Sequence, residues 1–119
     1  MDAGDLLVQI EQGIRETIES GKDVDFVTVC GNGEATMHRD FHQIADAMFE
    51  MKKTVFPDKK LAIISNSVGL TRKGVCEIVD RFEEKIMKLD AGDEDTFRLV
   101  NRPMPGVKYD EIVDNLCKL

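Results

Sequence analysis

The residues best suited to chemistry lie in three short polar turns. The first is Gly31-Asn32-Gly33-Glu34-Ala35-Thr36, the second Ser65-Asn66-Ser67-Val68-Gly69, and the third Asp90-Ala91-Gly92. Together they offer two carboxylates (Glu34 and Asp90), the amide of Asn66 beside that of Asn32, hydroxyls (Ser65, Ser67) and glycine backbone. Carboxylates and carbonyls accept hydrogen bonds from N–H and O–H donors, so the set suits a polar small molecule carrying an amine and a ribose. Either carboxylate taken alone is equally well read as the cap of a following helix. The glycine pair suggests a phosphate loop, but no Walker lysine follows Gly33 and the third glycine of GxGxxG is missing. His38 and His42 are spaced i, i+4 and with Glu34 could hold zinc. The HExxH order is absent, and surface or capping histidines are the commoner case. Cys30 has no base assigned to it by the sequence, so a small buried residue ending a strand is expected there. Arg102 reads as the anchor of an irregular loop.

The turns need elements to hold them. Residues 24–30, VDFVTVC, form a short β-branched run that suits a strand covered on both faces, and KLAIIS (60–65) and KIMKL (85–89) repeat the pattern. Helical spacing of Leu7, Ile10, Ile14 and Ile18 predicts a helix over 4–21. Phe41, Ile44, Ala45, Met48 and Met51 predict another over 39–53. Thr71 is a suitable N-cap for a third helix reaching about Glu84, with Val75, Ile78, Val79 and Phe82 inward. Two more helices are expected, over 93–100 and 109–118. Helices that alternate with parallel-type strands predict an α/β fold with right-handed crossovers, and the three turns then meet on one rim. Three parallel strands leave two free edges, so self-association through exposed strand edges is expected.

Composition narrows the classes. The chain has 119 residues, 42% hydrophobic and 33% charged, and one domain is expected. A net charge of −7 argues against nucleic acid or an anionic membrane as partner. No apolar run is long enough to span a membrane. Cys30, Cys76 and Cys117 are far apart and odd in number, which fits a reducing, cytoplasmic setting and no disulfide framework. Cys76 and Cys117 are expected at core or near-core helix positions.

The segment VTVCGNGEATMHRDF resembles the second strand and following turn of the radical S-adenosylmethionine enzymes, where the turn reads GGEP or, in one branch, GxGEPT. Ala35 stands in place of the proline. LAIISNS is similar to that branch's third strand with its terminal Ser-Asn. KLDAGDEDTFRLVNRP is similar to its fourth strand and the Asn-Arg-Pro segment after it. Order and spacing agree over residues 23–119. The resemblance implies that residues 1–119 are a single partial domain, a sector of a partial (β/α)6 TIM-like barrel holding its second to fourth strands. It implies that Gly31, Asn32, Gly33 and Glu34 meet the amino group of S-adenosylmethionine, and that Asn66 and Asp90 lie near its ribose or the substrate. Enzymes of this family are oxidoreductases that use a [4Fe-4S] cluster to cleave S-adenosylmethionine to a 5′-deoxyadenosyl radical. The cluster-binding CxxxCxxC is not in this chain, so the cluster is expected only in a longer parent and the chain alone is expected to be inactive. The alternative is a non-catalytic α/β module that binds a nucleotide-like ligand or another chain.

Overall fold

The chain folds as helices alternating with parallel strands, in a computed structural model that describes residues 2–119. Helix α1 runs Ala3–Glu19 and is started by Asp2, whose carboxylate accepts from the Asp5 amide at 2.8 Å. Its stripe of Ile10, Ile14 and Ile18 packs on the core. Gly21, at φ 77°, turns the chain out of α1 and towards β1, Phe26–Val29. Helix α2, Phe41–Thr54, buries Phe41, Ala45 and Met48. Strand β2 is Lys60–Ser65, and β3 is Glu84–Met87. Helix α4, Glu94–Asn101, is capped by Asp93, and the hydrogen bonds from Thr96 hold that carboxyl below the usual aspartate range. Helix α5, Tyr109–Leu116, closes the chain.

Between β2 and β3 the expected long helix from Thr71 is absent. Thr71 instead ends a 3-10 turn, Val68–Thr71, and α3 spans only Val75–Asp80. Gly74, at φ 79°, breaks the two apart, because a left-handed residue cannot continue a right-handed helix. The inward residues survive the change: Val75, Ile78, Val79 and Phe82 are all buried.

The sheet has the order β1-β2-β3, wholly parallel, with Phe26 opposite Lys60 and Ala62 opposite Glu84. Side chains alternate across the sheet. Val27, Val29, Leu61 and Ile63 point to the helical side, where Phe41, Met48, Phe56, Val79 and Phe82 form the main core. A smaller cluster of Val68, Ala91, Phe97, Val107 and Ile112 seats α4 and α5.

The opposite face differs from expectation. The strands are not covered on both sides, and Phe26, Ile64 and Ile86 are 47%, 38% and 53% exposed. Parallel sheets are ordinarily buried on both faces. Among the described residues the strands form a three-stranded parallel sheet with two free edges. The accessible surface is 7418 Å², against about 6,500 Å² expected for a monomer of this mass. The radius of gyration, 15.5 Å, likewise exceeds the roughly 13.5 Å of a compact domain of this length. The fold is a layer with one side unfinished.

Candidate binding rim and sheet face

The three polar turns do converge at the C-terminal ends of the strands, and Glu34 holds the first two together. After β1 the chain enters Gly31–Glu34, then a 3-10 turn at Ala35–Met37. Glu34 Oε1 accepts from the Thr36 amide at 3.1 Å, from Thr36 Oγ1 at 2.6 Å and from Ser65 Oγ at 2.6 Å. Its Oε2 accepts from the Asn66 amide at 2.6 Å. Three of these four donors crowd Oε1 and one meets Oε2, so the carboxylate is held mainly from within the chain. Glu34 is therefore both the cap of its own turn and a clasp across to the end of β2. Hydrogen bonds to a charged acceptor are the strong ones, so the clasp fixes the spacing of the two turns.

The Asn66 side chain is held at one end, where its Oδ1 accepts from the Val68 amide at 3.1 Å. Asp90 follows β3 and lies 3.9 Å from Lys88 Nζ, on the same rim but outside the Glu34 clasp. Gly31, Asn32 and Gly33 are exposed, and their backbone is what the first turn presents outward. Thus Glu34 and Asn66 come together, Gly31 to Gly33 border them, and Asp90 stands apart.

Three further members of the polar turns, Thr36, Ser67 and Gly69, and one residue that the sequence did not single out, Arg72, complete the rim. Thr36 and Ser67 are fully buried. Ser67 adopts φ 72°, and its hydroxyl donates to the Lys88 carbonyl at 2.7 Å, tying the second turn to the end of β3. Arg72 donates to the carbonyls of Thr36 and, at 3.2 Å, His38. Gly69 lets the second turn lie directly on Thr36. Thr36, Ser67 and Gly69 carried a signal as members of polar turns, whereas Arg72 carried none; the Ser67 and Arg72 partners lie 21 and 36 positions away.

His38 Nδ1 accepts from the Asp40 amide at 3.1 Å, and His42 Nε2 donates to the Lys73 carbonyl at 3.2 Å, so each histidine serves the local backbone. Among the described residues no group of three or more His, Cys, Asp or Glu is placed to hold a metal ion. Arg102 is left-handed at φ 46° and ends α4. The cysteines depart from expectation. Cys30, expected buried, is exposed because it points to the bare side of the sheet, and Cys117, expected near the core, is exposed at the end of α5. Cys76 is half-buried, and burial, with Glu77 beside it, pushes its thiol up. The thiolate is the reactive form. In a timed iodoacetamide reaction followed by peptide mass spectrometry, Cys30 and Cys117 should therefore alkylate first and Cys76 last. A Cys76 that reacts with the other two would contradict its placement.

Comparison with known proteins corrects the family reading. No family model matches the chain, and no solved structure matches it. Among curated proteins it is similar to GTPase Obg of Brachyspira hyodysenteriae, 28% identical over 105 residues, which is 88% of this chain and 15% of that protein. The chain thus spans a small part of the relative it matches. The relative is named as a GTPase, not a radical S-adenosylmethionine enzyme, and the iron–sulfur and oxidoreductase expectations fall with the resemblance. The physical reason lies in the turn: the Glu34 carboxylate that completes the motif-like sequence is bonded within the chain, to Thr36, Ser65 and Asn66. No helix among the described residues is long and apolar enough to cross a membrane.

Proposed function

We propose that this chain is a non-catalytic α/β interaction module that meets another polypeptide on its uncovered sheet face. The observation that carries the reading is the bare side of a parallel sheet, with Phe26, Ile64 and Ile86 exposed together. The surface excess over a compact monomer, about 900 Å², is close to the roughly 800 Å² that each partner contributes to a standard interface. Lys60 and Glu84 share that face by alternation and pair at 3.2 Å, so the strands bring little net charge to it in a chain of net charge −7. A sheet continued past β1 or β3, up to a closed barrel, is one way such a face becomes covered; a second copy is the simplest.

The rim supports the alternative reading less well. Glu34 accepts four hydrogen bonds and Asn66 Oδ1 one from inside the chain, which leaves the Asn66 side-chain NH2 and the turn backbone for a nucleotide-like ligand. GTP hydrolysis belongs to the named relative, and Gly33 here is followed by glutamate rather than a phosphate-loop lysine.

Sedimentation equilibrium tests the proposal. The weight-average mass should rise from 13.4 kDa towards twice that value between about 10 μM and about 1 mM, as expected for a small interface. Ile86→Asp, on an exposed residue, should hold it at the monomer value. A chain that stays monomeric and binds adenosine or guanosine nucleotides by calorimetry overturns the interaction reading.

A further inference from the structure

Among the described residues strand β1 has one neighbour, β2. Asp25 O accepts from the Lys60 amide at 2.9 Å, so in this parallel ladder the backbone groups of residues 25, 27 and 29 face β2. Those of Phe26 and Thr28 then face outward, with no strand to pair them among the described residues. Beside this free edge lies a trough floored by α1. One cavity of about 540 Å³ is lined by Leu6, Ile10, Ile14, Val27, Val29 and Met48, among others. A second, about 400 Å³, adds Gly13, Ile18 and Val24 and shares Ile10, Ile14 and Val27 with the first. The two adjoin along β1, with these three shared residues as a common apolar wall.

Few occupants satisfy both walls. Unpaired N–H and C=O groups require a partner backbone, while the α1 wall requires apolar side chains. An apolar small molecule leaves the edge unpaired. A helix has no free backbone groups along its length and is about 10 Å wide. An extended strand provides backbone on one side and side chains at alternate positions towards α1. Charge narrows the choice further. Residues 2–25, which supply the α1 wall and lead into β1, hold seven acidic side chains against two basic ones, a net −5 of the chain's −7; none of the seven lines either cavity, so this charge borders the apolar trough. A second copy would bring the same acidic flanks, Asp23 and Asp25, to the edge and be repelled.

We propose that the trough between α1 and β1 is a strand-binding site for an extended segment of another polypeptide, apolar at alternate positions and flanked by lysine or arginine. The site rests on the same unfinished sheet as the interaction reading, but it uses the edge of β1 and not the face. At about 3.3 Å per residue, the four residues of β1 call for a segment of about four to six residues.

The probe is the synthetic peptide Lys-Lys-Val-Thr-Ile-Thr-Val-Lys-Lys, titrated into the isotope-labelled chain. Binding should shift the Phe26 and Thr28 amides and slow their hydrogen exchange. The same peptide with glutamates in place of its lysines should bind at least about tenfold more weakly at low salt. Gly13→Leu fills the trough from α1, where an added Cβ meets no atom within 4 Å. It should raise the melting temperature by about 4 °C, because glycine is a poor helix residue, yet weaken the peptide at least about tenfold. Opposite signs from one substitution separate a blocked site from a damaged fold. Ile86→Asp should leave the peptide affinity unchanged, which keeps this site apart from self-association through the face. The proposal is overturned by absent binding at about 1 mM peptide, by shifts centred on Ile64 and Ile86, or by Gly13→Leu binding as tightly as the unaltered chain.

Discussion

Gly69→Ala should destabilise the fold by about 3 kcal/mol, a large share of the total for a domain this size. A Cβ at Gly69 would lie 2.9 Å from the carbonyl carbon of Thr36 and would overlap that residue's side chain more severely. Thr36 cannot yield cheaply. It is fully buried, its amide and hydroxyl donate to Glu34, and its carbonyl accepts from Arg72. Moving it loosens the first turn, the clasp to β2 and the arginine brace together. The control is Gly33→Ala. It has open space around the added carbon and a backbone without positive φ, so it should change stability by less than about 0.5 kcal/mol. Urea unfolding at 25 °C measures both. Equal small effects would mean that the two turns do not pack as described.

Glu34→Ala comes next in size. It removes the acceptor for four donors, and two of them, the hydroxyls of Thr36 and Ser65, are then left in buried residues without a partner. An unsatisfied buried donor costs about 1–3 kcal/mol, so a loss of about 3 kcal/mol overall is expected, short of additivity because the turn can relax. Glu34→Gln keeps the shape but sets an amide NH2 against the Asn66 amide, two donors face to face, and should fall between the extremes. Ser65→Ala made in both backgrounds gives the coupling directly. A cycle with less than about 0.3 kcal/mol of interaction would mean that Glu34 does not clasp β2.

These two positions show what could be read from the chain beforehand. The alternation of helices and parallel strands was legible because Val27, Val29, Leu61 and Ile63 sit in short β-branched runs, and because Ile10, Ile14 and Ile18 recur at helical spacing. Periodicity is a local property, so sequence displays it. The convergence of the three turns followed from parallel topology alone. Other features were not local. Ser67 bonds to Lys88, and Arg72 reaches back to Thr36, partners that no window of residues contains. Thr71 looked like a helix cap because its type suits one, but the left-handed Gly74 decides where α3 begins. Cys30 was expected inside because the strand reads as doubly covered. An apolar face without a cover reads the same as one with it, since sequence shows which residues want burial and not whether burial is supplied. The glycine–glutamate turn resembled a cofactor motif for a similar reason: the internal clasp and a ligand-binding turn use the same residue types.

The simple succession β1-β2-β3 carries a consequence for motion. No later strand is inserted between earlier ones, so β2 alone of the three is paired along both sides, while β1 and β3 each rely on a single ladder. Opening free energies follow such differences in local support, and the margins of the sheet separate from β2 at less cost than β2 separates from either. The most labile backbone thus coincides with the surfaces left free, and whatever covers them would stiffen the strands that fluctuate most.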